Sequence, residues 1–328
     1  MGESNKYSVL IIGCGRIAGG GENLSESEMK LTHASAYTNH NSYQIHACIE
    51  PDIFKRKIFM ERWGVKNGFA DMKEYEKSGI KCEIVSVCSP TITHAKILHA
   101  LIEYPLLAVF CEKPLTADIN ESKLIIDKFR KINIPIAVAY LRRWNKSING
   151  IKYEMENTTW GIVRSVTGYY SKGILNNGSH LLDLVNFLLG EVEIMTVTGK
   201  RVDYDDNDPT IDAVLYTDNN IPVHIIGTDS NDYTFFELHL HCEKGVISIE
   251  QSGQVIRRRT VRPDMCHLGY KQLQSETWDN PGHGNPYIYA LNNIDDVIQK
   301  KDVLKSDTKN AYYVQSVCSK LIEMAESL

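Results

Sequence analysis

The 328-residue sequence has no long apolar run and no long run of charge of one sign. No segment approaches the roughly 20 consecutive apolar residues that a membrane-spanning helix needs. The most notable basic run is the arginine triplet at 257–259, which is too short for a nucleic-acid patch and is expected in a solvated strand or turn. With a net charge of −5, the composition gives no reason to expect nucleic acid or an anionic membrane as a partner.

The sequence also lacks closely spaced cysteine pairs: its eight cysteines are scattered, and none forms Cys-x-x-Cys. This pattern is typical of reduced, buried thiols. His239 and His241 would share one face of a strand, but no other Cys/His pair stands nearby, so no metal site is predicted. The N-terminus carries no basic segment followed by an apolar stretch and a cleavage site, and we therefore expect a cytoplasmic protein.

What the sequence does contain is a glycine-rich turn directly after its first predicted strand, residues 7–12. Residues 13–18, Gly-Cys-Gly-Arg-Ile-Ala, follow the Gly-x-Gly-x-x-Ala form of the dinucleotide-binding fingerprint. The first glycine allows a tight turn, and the second lets the backbone approach a pyrophosphate. The small third residue lets a helix pack close to the strand with its N–H groups toward the phosphate. The motif predicts a bound dinucleotide.

An acidic residue, Glu50, ends the second predicted strand, residues 44–49. A carboxylate at this position holds the ribose hydroxyls of NAD and repels the 2′-phosphate of NADP, so NAD is the favoured cofactor and NADP the less favoured one. Three basic residues follow closely, namely Lys55, Arg56 and Lys57. They would weaken the preference for NAD over NADP if their side chains faced the cofactor. We expect them on an exposed helix face.

The helix that normally follows the fingerprint is interrupted in this sequence. Three glycines at 19–21 and a polar stretch at 22–30 predict a loop after one short helical turn, with a regular helix resuming over 31–38. The loop is either a plain surface excursion or a flap near the cofactor or substrate. Its position beside the fingerprint favours the flap.

The pattern of elements predicts two domains. Strands and helices alternate up to residue 143, which predicts a doubly wound parallel sheet and an NAD(P)-binding Rossmann domain over 1–143. From 144 to 328 long strand-like segments are separated by turns, with one clear helix at 179–189 and two helices at the end. This texture predicts an α+β domain with a large, mainly antiparallel sheet that binds substrate.

Several short motifs, each weak alone, occur in an order and spacing that resemble the Gfo/Idh/MocA oxidoreductases, the family of glucose-fructose oxidoreductase and inositol dehydrogenase. They are the fingerprint at 13–18, Cys88-Ser89-Pro90 with His94, Glu112-Lys113-Pro114, Tyr140 with Arg142-Arg143, and Gly-Ser-His-Leu-Leu-Asp at 178–183.

The resemblance implies hydride transfer between a nicotinamide and a carbinol or ketone of a sugar, cyclitol or nucleotide sugar. It also implies an open C-terminal sheet whose free face joins subunits into a homodimer or homotetramer, and a Lys113–Pro114 peptide bond that is cis.

The residue types at these motifs suit alcohol-to-ketone chemistry. Lys113 follows an apolar strand at 106–110, at the sheet edge where such folds place ligands. His180 and Asp183 share a face of one helix, for which Ser179 is the predicted N-cap. We assign His180 as general base in oxidation or general acid in reduction, and Lys113 as the hydrogen-bond donor to the reacting oxygen. Asp183 is expected either to hold a neighbouring hydroxyl or to orient the site. The reverse assignment, with Lys113 taking the proton, is left open.

These arguments and the resemblance together define the predicted site. The predicted catalytic residues are Lys113, His180 and Asp183. The predicted cofactor-binding residues are Gly13, Gly15, Arg16, Ile17, Ala18, Glu50, Ser89, Pro90, His94 and Glu112. The predicted substrate-binding residues are Lys113, Tyr140, Arg143, Asn177 and Asp183. The alternative is a non-catalytic NAD-binding sensor on the same scaffold, but such a protein would be free to lose the three catalytic residues, and their presence together favours an enzyme.

Overall fold

The computed structural model describes residues 6–274, 276–279 and 285–327. The chain divides into two compact units. The first comprises Met1–Trp144 and Asn285–Tyr312, and the second comprises Asn145–Gly284 and Tyr313–Leu328.

The helices and strands, in chain order, are as follows. The helices are α1 (Glu26–Lys30), α2 (His33–Thr38), α3 (Ile53–Trp63), α4 (Met72–Lys77), α5 (His94–Leu101), α6 (Ile119–Lys131), α7 (Lys146–Glu156), α8 (Ser179–Leu189), α9 (Pro286–Ile298) and α10 (Thr308–Ala325). The strands are β1 (Tyr7–Ile12), β2 (Tyr43–Ile49), β3 (Asn67–Phe69), β4 (Ile84–Val87), β5 (Ala108–Cys111), β6 (Ile136–Val138), β7 (Val163–Tyr170), β8 (Val192–Asp205), β9 (Asp208–Thr217), β10 (Pro222–Gly227), β11 (Phe236–Cys242), β12 (Gly245–Glu250), β13 (Val255–Pro263), β14 (Lys271–Leu273) and β15 (Thr277–Asp279).

The first unit contains a parallel sheet with the strand order β3-β2-β1-β4-β5-β6. Strands β4 and β5 are buried along their whole length, and β1 along most of its length. Strands covered on both faces need near-continuous apolar side chains, which explains the apolar runs of the sequence. The strand order reverses beside β1, so the carboxyl ends of β1 and β4 flank the crevice where this fold binds nucleotides. The predicted doubly wound parallel sheet is confirmed.

The helix expected after β1 is split by an excursion of the chain over residues 19–32. Beyond the excursion the backbone N–H of His33 donates to the carbonyl of Ile17 (3.1 Å) and that of Ala34 to the carbonyl of Ala18 (3.0 Å), so α2 continues the interrupted helix. The predicted insertion is thus confirmed, although it is not all loop. Its segment α1 begins with a capping box between Ser25 and Glu28.

The base of this excursion is anchored to the end of α3. Arg62 donates from its two Nη atoms to the carbonyls of Gly19 (2.9 Å) and Gly21 (2.8 Å), and Trp63 Nε1 also donates to Gly19 (3.0 Å). A Cβ on Gly20 would lie 1.9 Å from the carbonyl oxygen of Cys14. Glycine is therefore required where the excursion leaves the fingerprint.

The second unit contains a mixed, mostly antiparallel sheet with the order β14-β13-β12-β11-β7-β10-β9-β8, and β15 also pairs with β13. Within the described residues β7 and β10 pair in parallel, and the other neighbours in this sheet pair antiparallel. The predicted α+β architecture with a large, mainly antiparallel sheet is confirmed.

The sequence pattern did not indicate α7, and after residue 250 it indicated a strand only as one of two settings for the arginine triplet. Strand β13 carries four arginines, which hide the apolar alternation that identifies a strand. Two of them are neutralised by acidic partners: Arg257 Nε donates to Glu250 (3.0 Å) and Arg258 Nη2 to Glu154 (2.9 Å). The arginine triplet therefore lies in a strand, which was one of its two expected settings.

All eight cysteines are free thiols, and six of them are buried, whereas Cys242 is half-buried and Cys266 is exposed. Burial raises the pKa of the thiols of Cys88 and Cys111, which keeps them protonated and unreactive. Over the part of the chain that is described, no helix combines the length and the apolar character that crossing a membrane would demand.

Candidate active site

The fingerprint turn has the shape that a pyrophosphate site needs. Gly13 has φ +89°, and a Cβ there would lie 2.6 Å from the backbone N and Cα of Ser89, so only glycine fits. A Cβ on Gly15, in contrast, would meet nothing within 4 Å. The backbone at Gly15 therefore borders open space, as required of the glycine that a pyrophosphate approaches.

Glu50 is held against this turn. Its carboxylate accepts hydrogen bonds from the backbone N–H of Cys14 (2.8 Å) and of Asp52 (3.1 Å), and the residue is only 9% exposed. A carboxylate fixed beside the fingerprint suits a ribose diol and opposes a 2′-phosphate. Of the three basic residues that follow, Lys55 and Lys57 are exposed as expected. Arg56 is half-buried, and its guanidinium donates to the carbonyl oxygen of Glu50.

The remaining fingerprint residues differ in their exposure. Ala18 is buried, which fits its packing role, whereas Arg16 and Ile17 are exposed. Arg16 forms an ion pair with Glu28 of the inserted segment. The pKa of Glu28 is lowered to about 2, first by hydrogen bonds from the backbone and side chain of Ser25 and then by Arg16. The described contacts of Arg16 are thus with the insertion.

Ser89 and Pro90 lie in the turn after β4, and His94 begins α5. The Ser89 hydroxyl lies 2.7 Å from the Thr93 hydroxyl. His94 is fully buried, with Nε2 2.9 Å from the carbonyl oxygen of Ser89 and Nδ1 3.0 Å from that of Pro114. The imidazole thus lies between the segments that follow β4 and β5, both of which carry other predicted cofactor-binding residues.

Glu112, Lys113 and Pro114 follow β5, and the Lys113–Pro114 peptide bond is cis, as predicted. The Glu112 carboxylate accepts from His33 Nε2 (3.0 Å) and from the Tyr287 hydroxyl (3.2 Å). Lys113 is half-buried, and its backbone N–H lies 3.4 Å from the other carboxylate oxygen of Glu112. His33 and Tyr287 were missed by the sequence analysis.

Tyr140 and Arg143 lie beyond the end of β6. Strand β6 ends at Val138, and a 3-10 helix, Leu141–Trp144, follows. The N–H of Arg143 donates to the carbonyl of Tyr140 (3.1 Å) and closes this turn. Both side chains are largely buried, at 1% and 7% exposure. Tyr140 and Arg143 therefore lie in and beside a turn, and not at the end of a strand.

In the second unit α8 carries His180 and Asp183, which lie one helical turn apart. His180 is half-buried and Asp183 is 1% exposed. The prediction that Ser179 caps this helix is wrong. A π-helical turn, Gly173–Gly178, leads directly into α8, and the Ser179 hydroxyl instead donates to the carbonyl of Leu175 (2.7 Å).

Buried aspartates of strands β8 and β9 hold the π-helical turn. The Asp208 carboxylate accepts from the backbone N–H groups of Leu175 (2.6 Å) and Asn176 (2.9 Å). Asp203 accepts from the N–H of Lys172 (3.0 Å) and from the hydroxyl of Thr210 (2.6 Å). Carboxylates that accept several N–H and O–H bonds at once fix a loop firmly.

The same hydrogen bonds affect the charge of Asp203. Burial by itself raises the pKa of Asp203, but the bonds from Thr210, Lys172 and Ser230 outweigh burial and lower it. Asp203, Asp208 and Thr210 therefore support the segment that leads to Asn177 and His180. Their signal in the sequence was an acidic stretch at 203–208 between two strands, which resembles an ordinary turn.

The predicted residues thus form two groups, one in each unit. The first unit brings the fingerprint, Glu50, Ser89, His94, Glu112 and Lys113 to the carboxyl edge of the parallel sheet. The second unit brings Asn177, His180 and Asp183 to one end of α8, where Asn177 Nδ2 is 3.5 Å from the carbonyl of Phe235.

Across the described ranges, no group of three His, Cys, Asp or Glu is arranged to hold a metal ion. His239 contacts Ser248 (2.9 Å) and Glu237 (3.2 Å).

The open backbone at Gly15 and the carboxylate at Glu50 fit a dinucleotide. Fold and site together define a two-unit oxidoreductase with an NAD-binding Rossmann unit. Residues 7–140 match the family described as "Oxidoreductase family, NAD-binding Rossmann fold", and residues 154–248 match its C-terminal domain. The chain belongs to the Gfo/Idh/MocA oxidoreductase family.

Similar proteins include several sugar and cyclitol dehydrogenases. The D-glucoside 3-dehydrogenase of Escherichia coli is 21% identical over 99% of this chain and 97% of that protein. The myo-inositol 2-dehydrogenase of Thermotoga maritima is 29% identical, over 31% of this chain and 30% of that protein. A solved structure of levoglucosan dehydrogenase in complex with NADH and levoglucosan has a TM-score of 0.79 and 17% identity, with 98% of each chain covered.

Proposed function

We propose that the protein is an NAD-dependent dehydrogenase that oxidises a carbinol of a sugar or cyclitol, or reduces the corresponding ketone. A nucleotide sugar is a further candidate within this class. The observation that carries the proposal is the fingerprint turn, open at Gly15 and flanked by Glu50, on the same sheet edge as Lys113. The E. coli and T. maritima relatives, which are named for a glucoside and for myo-inositol, support the substrate class.

The chain's own residues have distinct proposed roles. When bound, the nicotinamide supplies the hydride acceptor or donor. Lys113 donates a hydrogen bond to the reacting oxygen and stabilises the negative charge that develops there. His180 accepts the hydroxyl proton in oxidation and returns it in reduction. Asp183, which is nearly fully buried, orients a neighbouring substrate hydroxyl.

The residues proposed to hold the cofactor are those of the carboxyl edge. Gly13 and Gly15 border the pyrophosphate, and Glu50 accepts from the adenosine ribose. The segments of Ser89-Pro90 and Glu112 line the nicotinamide side, with His94 fixing both of them. Tyr140, Arg143 and Asn177 are proposed to contact the substrate.

Turnover on a panel of sugars and cyclitols tests the proposal. The purified full chain should reduce NAD⁺, followed at 340 nm, with at least one aldose, glycoside, inositol or nucleotide sugar. Equilibrium binding of NADH is measured in parallel with turnover and is monitored by the fluorescence of NADH. Binding of NADH without turnover of any member of the panel would identify a non-catalytic NAD-binding protein and refute the proposal.

Replacing Glu50 should change the cofactor preference. We expect Glu50→Ala to lower the preference for NAD⁺ over NADP⁺ by roughly 10- to 100-fold, because one charge-assisted hydrogen bond is worth about 1.5–3 kcal/mol. Competitive binding of the two cofactors measures the ratio. Glu50→Gln is the matched control, since its amide oxygen still accepts from the N–H of Cys14 while the charge is lost. An unchanged ratio in both variants would contradict the assignment.

We further propose that the protein is a cytoplasmic homo-oligomer that assembles through the sheet of the second unit. Large apolar side chains on this sheet are exposed in the single chain, among them Met195, Tyr204 and Trp278. Exposed apolar surface of this kind is typical of subunit interfaces. Sedimentation of the full chain should give the mass of a dimer or tetramer, and a monomer at micromolar concentration would contradict the proposal.

A further inference from the structure

A buried polar cluster in the first unit lies behind Glu112 and centres on His33, the first residue of α2. His33 is fully buried. Its ring centroid lies 4.6 Å from that of Phe110 and 4.6 Å from that of Tyr287, so packing fixes the plane of the imidazole. A histidine that is buried and held between two aromatic rings has few orientations available, and its hydrogen bonds are correspondingly directional.

The hydrogen bonds of the cluster form a chain that ends at Glu112. The distances are 3.0 Å from Tyr37 Oη to Ser86 Oγ, 3.0 Å from Ser86 Oγ to His33 Nδ1, and 3.0 Å from His33 Nε2 to Glu112 Oε1. With the His33 ring neutral, one arrangement of protons satisfies every contact, and in a protonated ring Nε2 donates to Glu112 as well. Tyr37 donates to Ser86, Ser86 donates to Nδ1 of His33, and His33 donates from Nε2 to Glu112, because a carboxylate only accepts.

Ser86, His33 and Glu112 are hydrogen-bonded in the same order as the serine, histidine and acid of a hydrolytic triad, but they do not form one. Ser86 is fully buried, so no substrate reaches its hydroxyl. The opposite end is accessible, because 15% of the Glu112 side chain is exposed. The chain of donors therefore acts on the carboxylate and not on the serine.

The pKa of Glu112 reflects this environment. Burial by itself raises it, but the hydrogen bond and the electrostatic attraction from His33, together with the charge of Lys113, outweigh burial, and the pKa of Glu112 lies below its ordinary value. Tyr287 Oη donates to the same oxygen as His33 (3.2 Å). The ionisable groups that face Glu112 in the described residues are His33 of α2, Cys88 after β4, Cys111 of β5, the adjacent Lys113 and Tyr287 of α9.

We propose that His33 is a positioning residue of this oxidoreductase, which acts by holding the Glu112 carboxylate ionised and correctly oriented beside Lys113. The fixed negative charge then favours the ammonium form of Lys113 and faces the side of the site where the nicotinamide would bind. This inference deepens the proposed function and rests on it for the role of Lys113. The charge on Glu112 can, however, be tested without turnover.

Two amide variants separate the two nitrogens of the His33 ring. In His33→Gln the amide nitrogen reaches the position of Nε2 and still donates to Glu112. In His33→Asn the shorter amide reaches the position of Nδ1 and contacts Ser86, but the donor to Glu112 is lost. Both variants remove the same aromatic packing, so each controls for the other. Thermal unfolding of both verifies that they are folded.

The primary measurement is the titration of Glu112. It is monitored through the ¹³C NMR signal of the Glu112 carboxyl carbon in the full chain labelled on glutamate. Glu112→Gln assigns the signal. We expect His33→Asn to raise the titration midpoint by about one pH unit, as loss of one strong hydrogen bond to a carboxylate implies, and His33→Gln to raise it much less. If both variants leave the midpoint unchanged, or shift it equally, the inference is overturned.

Tyr287→Phe keeps the inference testable should His33→Asn fail to fold. It removes the other donor to the same oxygen and should raise the midpoint in the same direction. No shift would show that hydrogen bonds to this oxygen do not keep Glu112 ionised, which would overturn the inference. In the kinetic experiment, which is run in the direction of reduction because the protonated His180 is then the active form, the acidic limb of the pH–rate profile should move to higher pH in His33→Asn. Activity that needs the ionised Glu112 is lost as the pH falls through the pKa of Glu112. A purely structural role would lower the amount of folded protein without moving this limb.

The outcomes separate this inference from the proposed function. A wild-type protein that turns over no substrate but shows the shift in His33→Asn refutes the reaction and retains the role of His33 toward Glu112. Turnover with no shift in either measurement refutes the role of His33 and retains the reaction.

Discussion

Lys113→Met is expected to lower kcat by roughly 10³-fold, which is the scale for removing a group that stabilises or transfers charge in the transition state. Methionine has a similar length and apolar stem but provides no donor and no charge. The affinity for NADH should be largely retained, because the fingerprint and Glu50 are untouched. Steady-state kinetics on the best substrate of the panel, together with NADH fluorescence, measures both quantities.

Lys113→Arg distinguishes the two roles that the sequence leaves open. Arginine keeps the positive charge and the hydrogen-bond donors, but it does not lose a proton in proteins. If Lys113 polarises the reacting oxygen and His180 takes the proton, Lys113→Arg should retain part of the activity that Lys113→Met loses. If Lys113 is the base, the two variants should be equally inactive.

His180→Asn completes this comparison. With His180 as the base, its loss should abolish the pH dependence that the imidazole contributes to kcat, while Lys113→Arg retains that dependence. Full activity of both Lys113→Met and His180→Asn would contradict the proposed site altogether. Thermal unfolding of each variant shows whether the loss is chemical or structural.

Gly13→Ala is expected to produce the second large effect, on stability and cofactor binding together. Gly13 has φ +89°, and its N–H donates to the carbonyl of Ile49 (2.8 Å). An added Cβ would lie 2.6 Å from the backbone of Ser89. The left-handed conformation costs about 1–2 kcal/mol for a residue with a Cβ, and relief of the overlap adds to it, so we expect a loss of about 2–4 kcal/mol in the free energy of unfolding.

Gly15→Ala is the matched control, because a Cβ there meets nothing within 4 Å. Its stability should stay within about 0.5 kcal/mol of the wild type. The affinity for NADH should nevertheless fall, since the methyl group would occupy the space that the pyrophosphate needs. Denaturant unfolding and NADH fluorescence, applied to both variants, separate the two effects. Unchanged NADH affinity in Gly15→Ala would show that the pyrophosphate lies elsewhere.

The local elements of the first unit were predictable because each is encoded over a short stretch. The apolar run at 7–12 followed by Gly-x-Gly-x-x-Ala indicates both a strand and the turn after it, and the alternation of strands and helices up to residue 143 indicates a parallel sheet. Even the interrupted helix was visible, since three consecutive glycines break any helix. The sequence did not reveal that α2 continues the first helical turn, because that depends on two hydrogen bonds across the excursion.

Support for the site was not predictable, because it comes from residues that are distant in sequence. Glu112 meets His33, which is 79 positions earlier, and Tyr287, which is 175 positions later. The Asp208 carboxylate accepts a hydrogen bond from Asn176, which lies 32 positions earlier in the turn before α8. A buried carboxylate needs hydrogen-bond donors, but neither composition nor periodicity says which part of the chain supplies them.

By itself, then, the sequence determined the Rossmann fold, the α+β character of the second unit and the motifs of an NAD-binding oxidoreductase. These follow from local patterns of apolar residues, glycines and charges. Only the tertiary structure decided what surrounds Glu112, Glu50 and α8. Those environments arise when burial forces polar groups to pair with whichever donors the fold brings within hydrogen-bond distance.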